Sequence, residues 1–318
     1  MRHLESAFAG KNSFWRYLVM FGTVFIAINT IGGIPILIAA LSKVAADPGI
    51  ITGVTDNPAD LSVFGIEPLP GLMMMLFPYL IGLITFAILI RPLHHRPFMH
   101  VINGRKRLRW NRFFVSAIIW MLISLAYLFI YKGLDPSNFP VNNITSSLVW
   151  LVIISLTLIP FQASFEEIIF RGYLLQGFAV MFRNRWAPLI LTSVFFGLMH
   201  SWNPEVKEFG FLAMLPQYIM FGFMFGITAI LDDGIEIALG THTANNIFLS
   251  ITVTNSSSTL QTPAVFEQVE ILPWVEFGGL VIACIIFILV IGRIYNWRNP
   301  GTIFSSVRKE DLNSDSID

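Results

Sequence analysis

Leu148–Phe182 reads LVWLVIISLTLIPFQASFEEIIFRGYLLQGFAVMF, a stretch in which only Glu166, Glu167 and Arg171 are charged. At about 1.5 Å per residue, a helix of this length overruns the ~30 Å apolar core of a bilayer. A single straight crossing does not accommodate it, and Pro160 near its middle is the expected site of a bend. Ionisable side chains inside such a segment cost several kcal/mol, so they mark function or a buried ion pair. Glu167 and Arg171 stand four residues apart with the acid N-terminal, the better orientation for an ion pair along one helix face. Glu166 lies about 100° around the helix from Glu167, so the two acids are expected to point to different places. The economical arrangement pairs Glu167 with Arg171 and leaves Glu166 facing a cavity, where it can serve as a general base. The competing reading is a buried ion network that only ties helices together.

The rest of the chain has the same character. Of 318 residues, 55% are hydrophobic and 13% charged, about half the charge of an ordinary soluble domain. With a mean hydropathy of +0.69, this composition excludes a disordered chain, a soluble enzyme and a nucleic-acid binder with a basic face. Net charge is zero, so bulk charge names no partner. Cys284 is the single cysteine, which excludes an internal disulfide and a cysteine-based metal cage. Apolar runs predict about eight transmembrane helices, near 14–41, 72–90, 113–131, 148–182, 187–201, 211–231, 235–254 and 275–294, and hence an all-α polytopic bundle. The first run is too long for a signal peptide and continues through Ile34-Pro35-Ile36, so it reads as a retained helix.

Lys and Arg sort into alternate loops. Segment 91–112 holds Arg91, Arg96, Arg105, Lys106, Arg107, Arg109 and Arg112 with no acid, and the N-terminus, 183–186 and the C-terminal tail are also basic. Loops 42–71, 132–147, 201–210 and 255–274 carry only Lys43, Lys132 and Lys207. The positive-inside rule then places both termini in the cytoplasm. The organisation that follows is N-terminal transmembrane helices and a basic cytoplasmic loop (1–147), a polar-bearing core (148–254), and a last helix with a polar tail expected to be mobile from Asn296 (255–318). No internal repeat of the transporter kind is evident.

Two further polar groups stand out. His200 ends the fifth span, with Phe196 one turn earlier on the same face. Alone, it suits an interfacial histidine. His242 and Asn246 share a face of the seventh span, with Asn245 beside them, a pattern that interhelical hydrogen bonding also explains. His94, His95 and His100 fall in the basic loop without an acid or cysteine nearby, a poor metal site. Asp232, Asp233 and Glu236 open the seventh span after an Asp233-Gly234 turn, where acids suit a helix N-terminus. Asn143-Ile-Thr145 is a glycosylation sequon on the expected outer side.

Glu166-Glu167-x-x-x-Arg171, Phe196-x-x-x-His200 and His242-x-x-x-Asn246, in this order on successive apolar segments, resemble the CAAX protease and bacteriocin-processing (Abi) family of intramembrane endopeptidases. The resemblance covers 148–254. It implies a catalytic core in helices four to seven and hydrolysis of a peptide bond in a membrane-associated protein or peptide, including prenylated CAAX-type substrates. It implies that Glu166 and His200 position and activate water, that His242 and Asn246 stabilise the oxyanion, and that Glu167 and Arg171 support the site.

Amide hydrolysis does require an activated water and donors for a tetrahedral oxyanion, and these residue types supply both. Glu166, His200 and His242 also have the chemistry of a His₂-carboxylate zinc site, although a His-Glu-x-x-His signature is absent, so metal-free and divalent-metal mechanisms both stay open. Other classes compatible with the same groups are a non-catalytic immunity or scaffold protein and, with less support, a transporter. The expected surroundings are the lipid bilayer, a protein or peptide substrate and no nucleic acid. Short loops and inward termini suit a bacterial plasma membrane.

Depth along the helices separates the three groups. Counted from the basic loops, Glu166 and His200 lie roughly 25 and 22 Å into the membrane and His242 only about 15 Å. A tilt, a bend at Pro160 or an irregular entry at 232–240 is needed to bring the three together.

Overall fold

A computed structural model describes residues 2–47, 49, 61–142 and 146–312. The sequon at Asn143 and most of the Gly/Pro/Asp-rich part of loop 42–71 lie outside the described residues. The first apolar run forms α1 (Phe14–Ala27), a π-helical turn (Ile28–Gly32) and α2 (Ile34–Ala46). Then come α3 (Pro68–His94), a short α4 (Met99–Ile102), α5 (Trp110–Leu134) and α6 (Ser147–Glu167). A second π-helical turn, Ile168–Leu174, joins α6 to α7 (Leu175–Phe182). The chain continues through α8 (Trp186–Met199), a short α9 (Pro204–Phe209), α10 (Phe211–Leu231), α11 (Glu236–Ile251) and α12 (Pro273–Ile294). Two-residue strands β1 (Val253–Thr254) and β2 (Phe266–Glu267) pair in the loop between the last two helices.

The protein is therefore an all-α, multi-pass membrane bundle. Among the described residues six helical segments are long and apolar enough to cross a bilayer: 14–46, α3, α5, 147–182, α10 and α12. The other two expected spans are shorter. With 14 residues in α8 and 16 in α11, they are about 21 and 24 Å long, less than a full crossing. The burial pattern is that of a lipid-solvated protein. Ile26, Ile88, Leu122, Ile282 and Leu289 face outward, whereas Glu167, Arg171, Glu236 and His242 are buried.

α6 runs as one α-helix through Pro160, and a second irregularity, which the sequence did not announce, falls at 168–174. The wide turn sits where Gly172 meets the backbone of Val101. A Cβ on Gly172 would lie 2.8 Å from the Val101 carbonyl oxygen, so only glycine lets the turn approach α4 this closely. Close helix approach recurs at Gly240, whose absent Cβ would collide with the Phe113 carbonyl and Ser116 Oγ. This lets α11 lie directly against α5.

The segments rich in Lys and Arg gather at one end of the bundle. The N-terminal turn Glu5–Ala9 is sewn to the 94–109 segment by Ser6 Oγ donating to the His100 carbonyl (2.6 Å). Arg185 donates to Glu5 and to the Ser306 carbonyl. Arg109 and Arg112 each lie within 2.9 Å of Asp232, and Arg109 lies 2.5 Å from Glu236, so those acids serve the basic loop as ion-pair partners as well as opening a helix. The tail departs from expectation. It folds back through a 3₁₀ turn at Pro300–Phe304, buries Val307 completely and closes with the Val307 amide donating to the Arg183 carbonyl (3.0 Å). Val307 and the Arg185 donors dock the segment, together with Trp297 and Ile303, which pack against the core.

Candidate functional site

The last turn of α6 and the π-helical turn after it present Glu166, Glu167 and Arg171 to the bundle interior. α11 faces them with His242 and Asn246, and α8 ends beside them at His200. Glu167 and Arg171 form the expected ion pair, Nη1 to Oε1 at 2.8 Å with both side chains fully buried. Arg171 also donates to the Gly222 carbonyl (3.3 Å). Its guanidinium carbon lies 4.2 Å from the Phe196 ring centre and 5.1 Å from that of Phe225, so aromatic faces complete its shell.

The two acids converge on one residue after all. His242 Nδ1 lies 2.8 Å from Glu167 Oε1, and its Nε2 lies 3.7 Å from Glu166 Oε2. The 100° separation around the helix sends them to opposite edges of a single imidazole. Because a carboxylate only accepts, the neutral ring carries its proton on Nδ1 and turns an Nε2 lone pair toward Glu166. Glu166 Oε1 accepts from Gln162 Nε2 (2.5 Å), while Oε2 is buried without a hydrogen-bond donor. Gln162 Oε1 in turn accepts from Asn246 Nδ2 (2.8 Å). His242 stacks on Phe225, with ring centres 5.0 Å apart at 16°.

His200 caps the same space. Its Nδ1 donates to the Phe196 carbonyl (2.7 Å), and its ring stacks on Tyr218 at 4.4 Å and 18°. Nε2 is left as the acceptor in the neutral ring. Phe196 touches His200 (4.6 Å between ring centres), His242 (6.1 Å) and the Arg171 guanidinium, so one phenyl ring spaces three of the motif residues. The irregular entry to α11 is present. Asp233 (φ 57°) and Gly234 (φ 155°) make an irregular turn, and the Ile235 amide donates to the Ile102 carbonyl (2.9 Å), setting the first turn of α11 inside the bundle.

Four contributors escaped the sequence reading. Gln162 was visible as a polar residue one turn before Glu166 on an apolar helix. Tyr218 and Phe225 are aromatic residues on an aromatic-rich helix and carried no signal. His3 is the fourth: its Nε2 donates to the Arg171 carbonyl (3.0 Å), and its Nδ1 accepts from Gln176 Nε2 (3.2 Å). Burial pushes the His3 pKa down to about 4, which keeps the ring neutral for that donation. Of the loop histidines, His94 bonds the Lys11 carbonyl and the Tyr173 hydroxyl, each at 2.7 Å, with no acid beside it.

A family model for type II CAAX prenyl endopeptidase Rce1-like proteins matches residues 145–248, from the start of α6 to the last turn of α11. An uncharacterized protein of Bacillus subtilis (strain 168), YyaK, is 33% identical over 253 residues, 78% of this chain and 81% of that one. The chain belongs to the Rce1-like family. No solved structure matches it. The Rce1-like match encloses Glu166, Glu167, Arg171, His200, His242 and Asn246, the residues of the three motifs.

A divalent metal was one sequence-level alternative for this Rce1-like site. Each histidine has its Nδ1 fixed by a carboxylate or a carbonyl, the usual outer support of a ligating imidazole. Among the described residues, however, no three His, Cys, Asp or Glu side chains are placed to hold an ion, because Glu166 and Glu167 meet opposite edges of the His242 ring, so the set as arranged does not fit a resident metal.

Proposed function

We propose that this chain is an intramembrane endopeptidase that hydrolyses a peptide bond in a membrane-associated protein or peptide, with Glu166 as general base. The observation that carries the reading is the division of labour between adjacent acids. Glu167 is neutralised by Arg171, whereas Glu166 has one oxygen fastened by Gln162 and the other free, 3.7 Å from His242 Nε2. That arrangement leaves Glu166 Oε2 open to a water and His242 Nε2 open to the oxyanion that forms beside it.

In the proposed reaction the water held by Glu166 and His200 attacks the carbonyl carbon, and its proton passes to Glu166. The oxyanion takes hydrogen bonds from Asn246, whose amide keeps a second N–H beyond the one given to Gln162, and from His242 Nε2, which takes a proton from solvent before the attack and keeps it through the cycle. The C–N bond then breaks, the amine leaves with the proton from Glu166, and the carboxylate is regenerated. Glu167, Arg171 and Phe196 hold the geometry. The basic end of the bundle faces the cytoplasm under the positive-inside rule, with both termini on that side, and a bacterial plasma membrane is the proposed setting. Prenylated CAAX-type proteins are the substrate class the Rce1-like membership supports.

The test uses wild type and Glu166→Ala in detergent against fluorogenic peptides, prenylated CAAX sequences among them, with and without a strong chelator. Cleavage that survives chelation and disappears in the variant is the expected result. Chelator-sensitive cleavage would transfer water activation to a metal, and undiminished cleavage by Glu166→Ala would remove Glu166 from the mechanism.

A further inference from the structure

Asn245 and Trp120 have no part in the chemistry above, yet they are joined to it. Trp120 Nε1 on α5 donates to Asn245 Oδ1 on α11 (3.1 Å), and Asn245 Nδ2 donates to Asn246 Oδ1 (3.1 Å). Asn246 Nδ2 donates to Gln162 Oε1 on α6 (2.8 Å), and Gln162 Nε2 donates to Glu166 Oε1 (2.5 Å). Four hydrogen bonds thus run in one direction across three helices and end on the proposed base.

We propose that Trp120, Asn245 and Gln162 are positioning residues that act through this relay, fastening Glu166 Oε1 so that Oε2 is the oxygen presented to the attacking water. The inference rests on the proposed role of Glu166. Its direction is set at both ends, because an indole N–H can only donate and a carboxylate can only accept. Every amide between them therefore has one possible orientation, oxygen toward Trp120 and nitrogen toward Glu166. Flipping any one would set oxygen against oxygen and nitrogen against nitrogen.

The donor end is tightly packed. Trp120 is 3% exposed and is held edge-on by Phe287, with ring centres 5.4 Å apart, and by Phe221 at 5.9 Å. A long glutamate side chain has several rotamers, and a general base is effective only when its oxygen is aligned with the proton it removes. The relay converts the rigidity of an indole packed between α5, α10 and α12 into that alignment. It also accounts for paired asparagines at 245 and 246: the first turns Asn246, and the second is left with one N–H for the substrate.

The experiment uses the full chain in micelles, ¹⁵N-labelled at the indole nitrogens, with the Trp120 resonance assigned by its loss in Trp120→Phe. Gln162→Met, which keeps side-chain length but removes the amide, should move the Trp120 indole resonance while the other indole resonances stay in place. Trp120 and Gln162 are three hydrogen bonds apart, so an unmoved resonance overturns the relay. In peptide cleavage, Trp120→Phe and Gln162→Met should each lower kcat about ten-fold with KM within about two-fold, and the double variant should be no worse than the poorer single. Losses that multiply in the double variant also overturn it, because independent structural damage multiplies. A moved resonance in a protein that cleaves nothing supports the relay and counts against the endopeptidase reading; cleavage with an unmoved resonance does the reverse.

Discussion

Removing the Glu167 carboxylate isolates a guanidinium at 0% exposure, and the cost can be worked from its surroundings. Leaving one partner of a buried ion pair uncompensated costs about 3–5 kcal/mol. Arg171 would keep the Gly222 carbonyl and the faces of Phe196 and Phe225, the nearer at 4.2 Å, and a desolvated cation–π contact contributes up to about 2 kcal/mol, which moves the estimate toward the low end of the range. His242 Nδ1 would also lose its acceptor, adding about 1 kcal/mol. Glu167→Ala is thus expected to cost about 3–4 kcal/mol, and Arg171→Ala a similar amount by stranding the acid. Glu167→Met combined with Arg171→Met removes both charges at nearly constant volume and should recover most of the loss. At about 2 °C per kcal/mol for a chain of this size, each single alanine variant should melt about 6–8 °C below wild type in detergent. The double methionine variant should melt within a few degrees of wild type and remain without cleavage activity. A double variant that melts lower than either single would mean the two charges stabilise the protein independently, and the buried-pair account of the motif would fail.

Three other perturbations follow from the same geometry. Gly240→Ala drives a methyl group into the Phe113 carbonyl and Ser116 Oγ, so α11 must move off α5. Overpacking of this kind costs about 1–3 kcal/mol and carries His242 away from Glu167, so melting temperature and cleavage should fall together, whereas Gly133→Ala, which meets nothing within 4 Å, should leave both unchanged. Tyr218→Ala removes the ring stacked on His200 and should lower kcat more than it changes KM, with Tyr218→Phe close to wild type; equal effects of the two variants would refute stacking as the contribution. His3 makes stability acid-sensitive in a defined window. Its pKa is held at about 4 against an ordinary 6.5, so the unfolded chain binds the extra proton between those values and stability falls as pH drops from about 6.5 to 4, by on the order of 3 kcal/mol. The groups acting on it include Arg96, Arg109 and Glu236, and Asp233, which accepts its backbone N–H, is itself raised by burial, so part of the loss is offset at the acid end. His3→Gln should flatten the melting curve across that range, and an unchanged slope would show that the ring is not buried in its neutral form.

The bundle and the pairing of Glu167 with Arg171 were legible because both are periodic properties: apolar runs of bilayer length, and opposite charges one helical turn apart. The segregation of Lys and Arg was equally readable, and the structure brings those segments to one end. The sequence reading stopped at geometry that depends on more than one element. Nothing in Ile168–Leu174 announces a π-helical turn; it is set by Gly172 meeting Val101 and by Arg171 reaching Phe196 and Gly222. Gln162 was passed over because an uncharged side chain draws no attention in a search for ionisable groups, although its four-residue offset from Glu166 was plain. The tail read as loose on composition, which cannot register a single buried Val307 or the reach of Arg185.

The spacing Phe196-x-x-x-His200 shows why three scattered motifs make one site. Phe196 is not a reactant, yet its ring meets the Arg171 guanidinium and both histidine rings, and its carbonyl accepts from His200 Nδ1. One residue on α8 thereby fixes the tautomer of His200, walls in the charge that neutralises Glu167, and sets the distance between α8 and α11. In a bilayer, where helices gain little from burying one apolar surface against another, such a site is held by the few polar contacts it contains. The proposed catalytic geometry and the fold of the core therefore depend on the same residues, and substitutions in the motifs separate into those expected to stop chemistry in an intact protein, as for Glu166, and those expected to loosen the bundle as well, as for Glu167, Arg171 and Phe196.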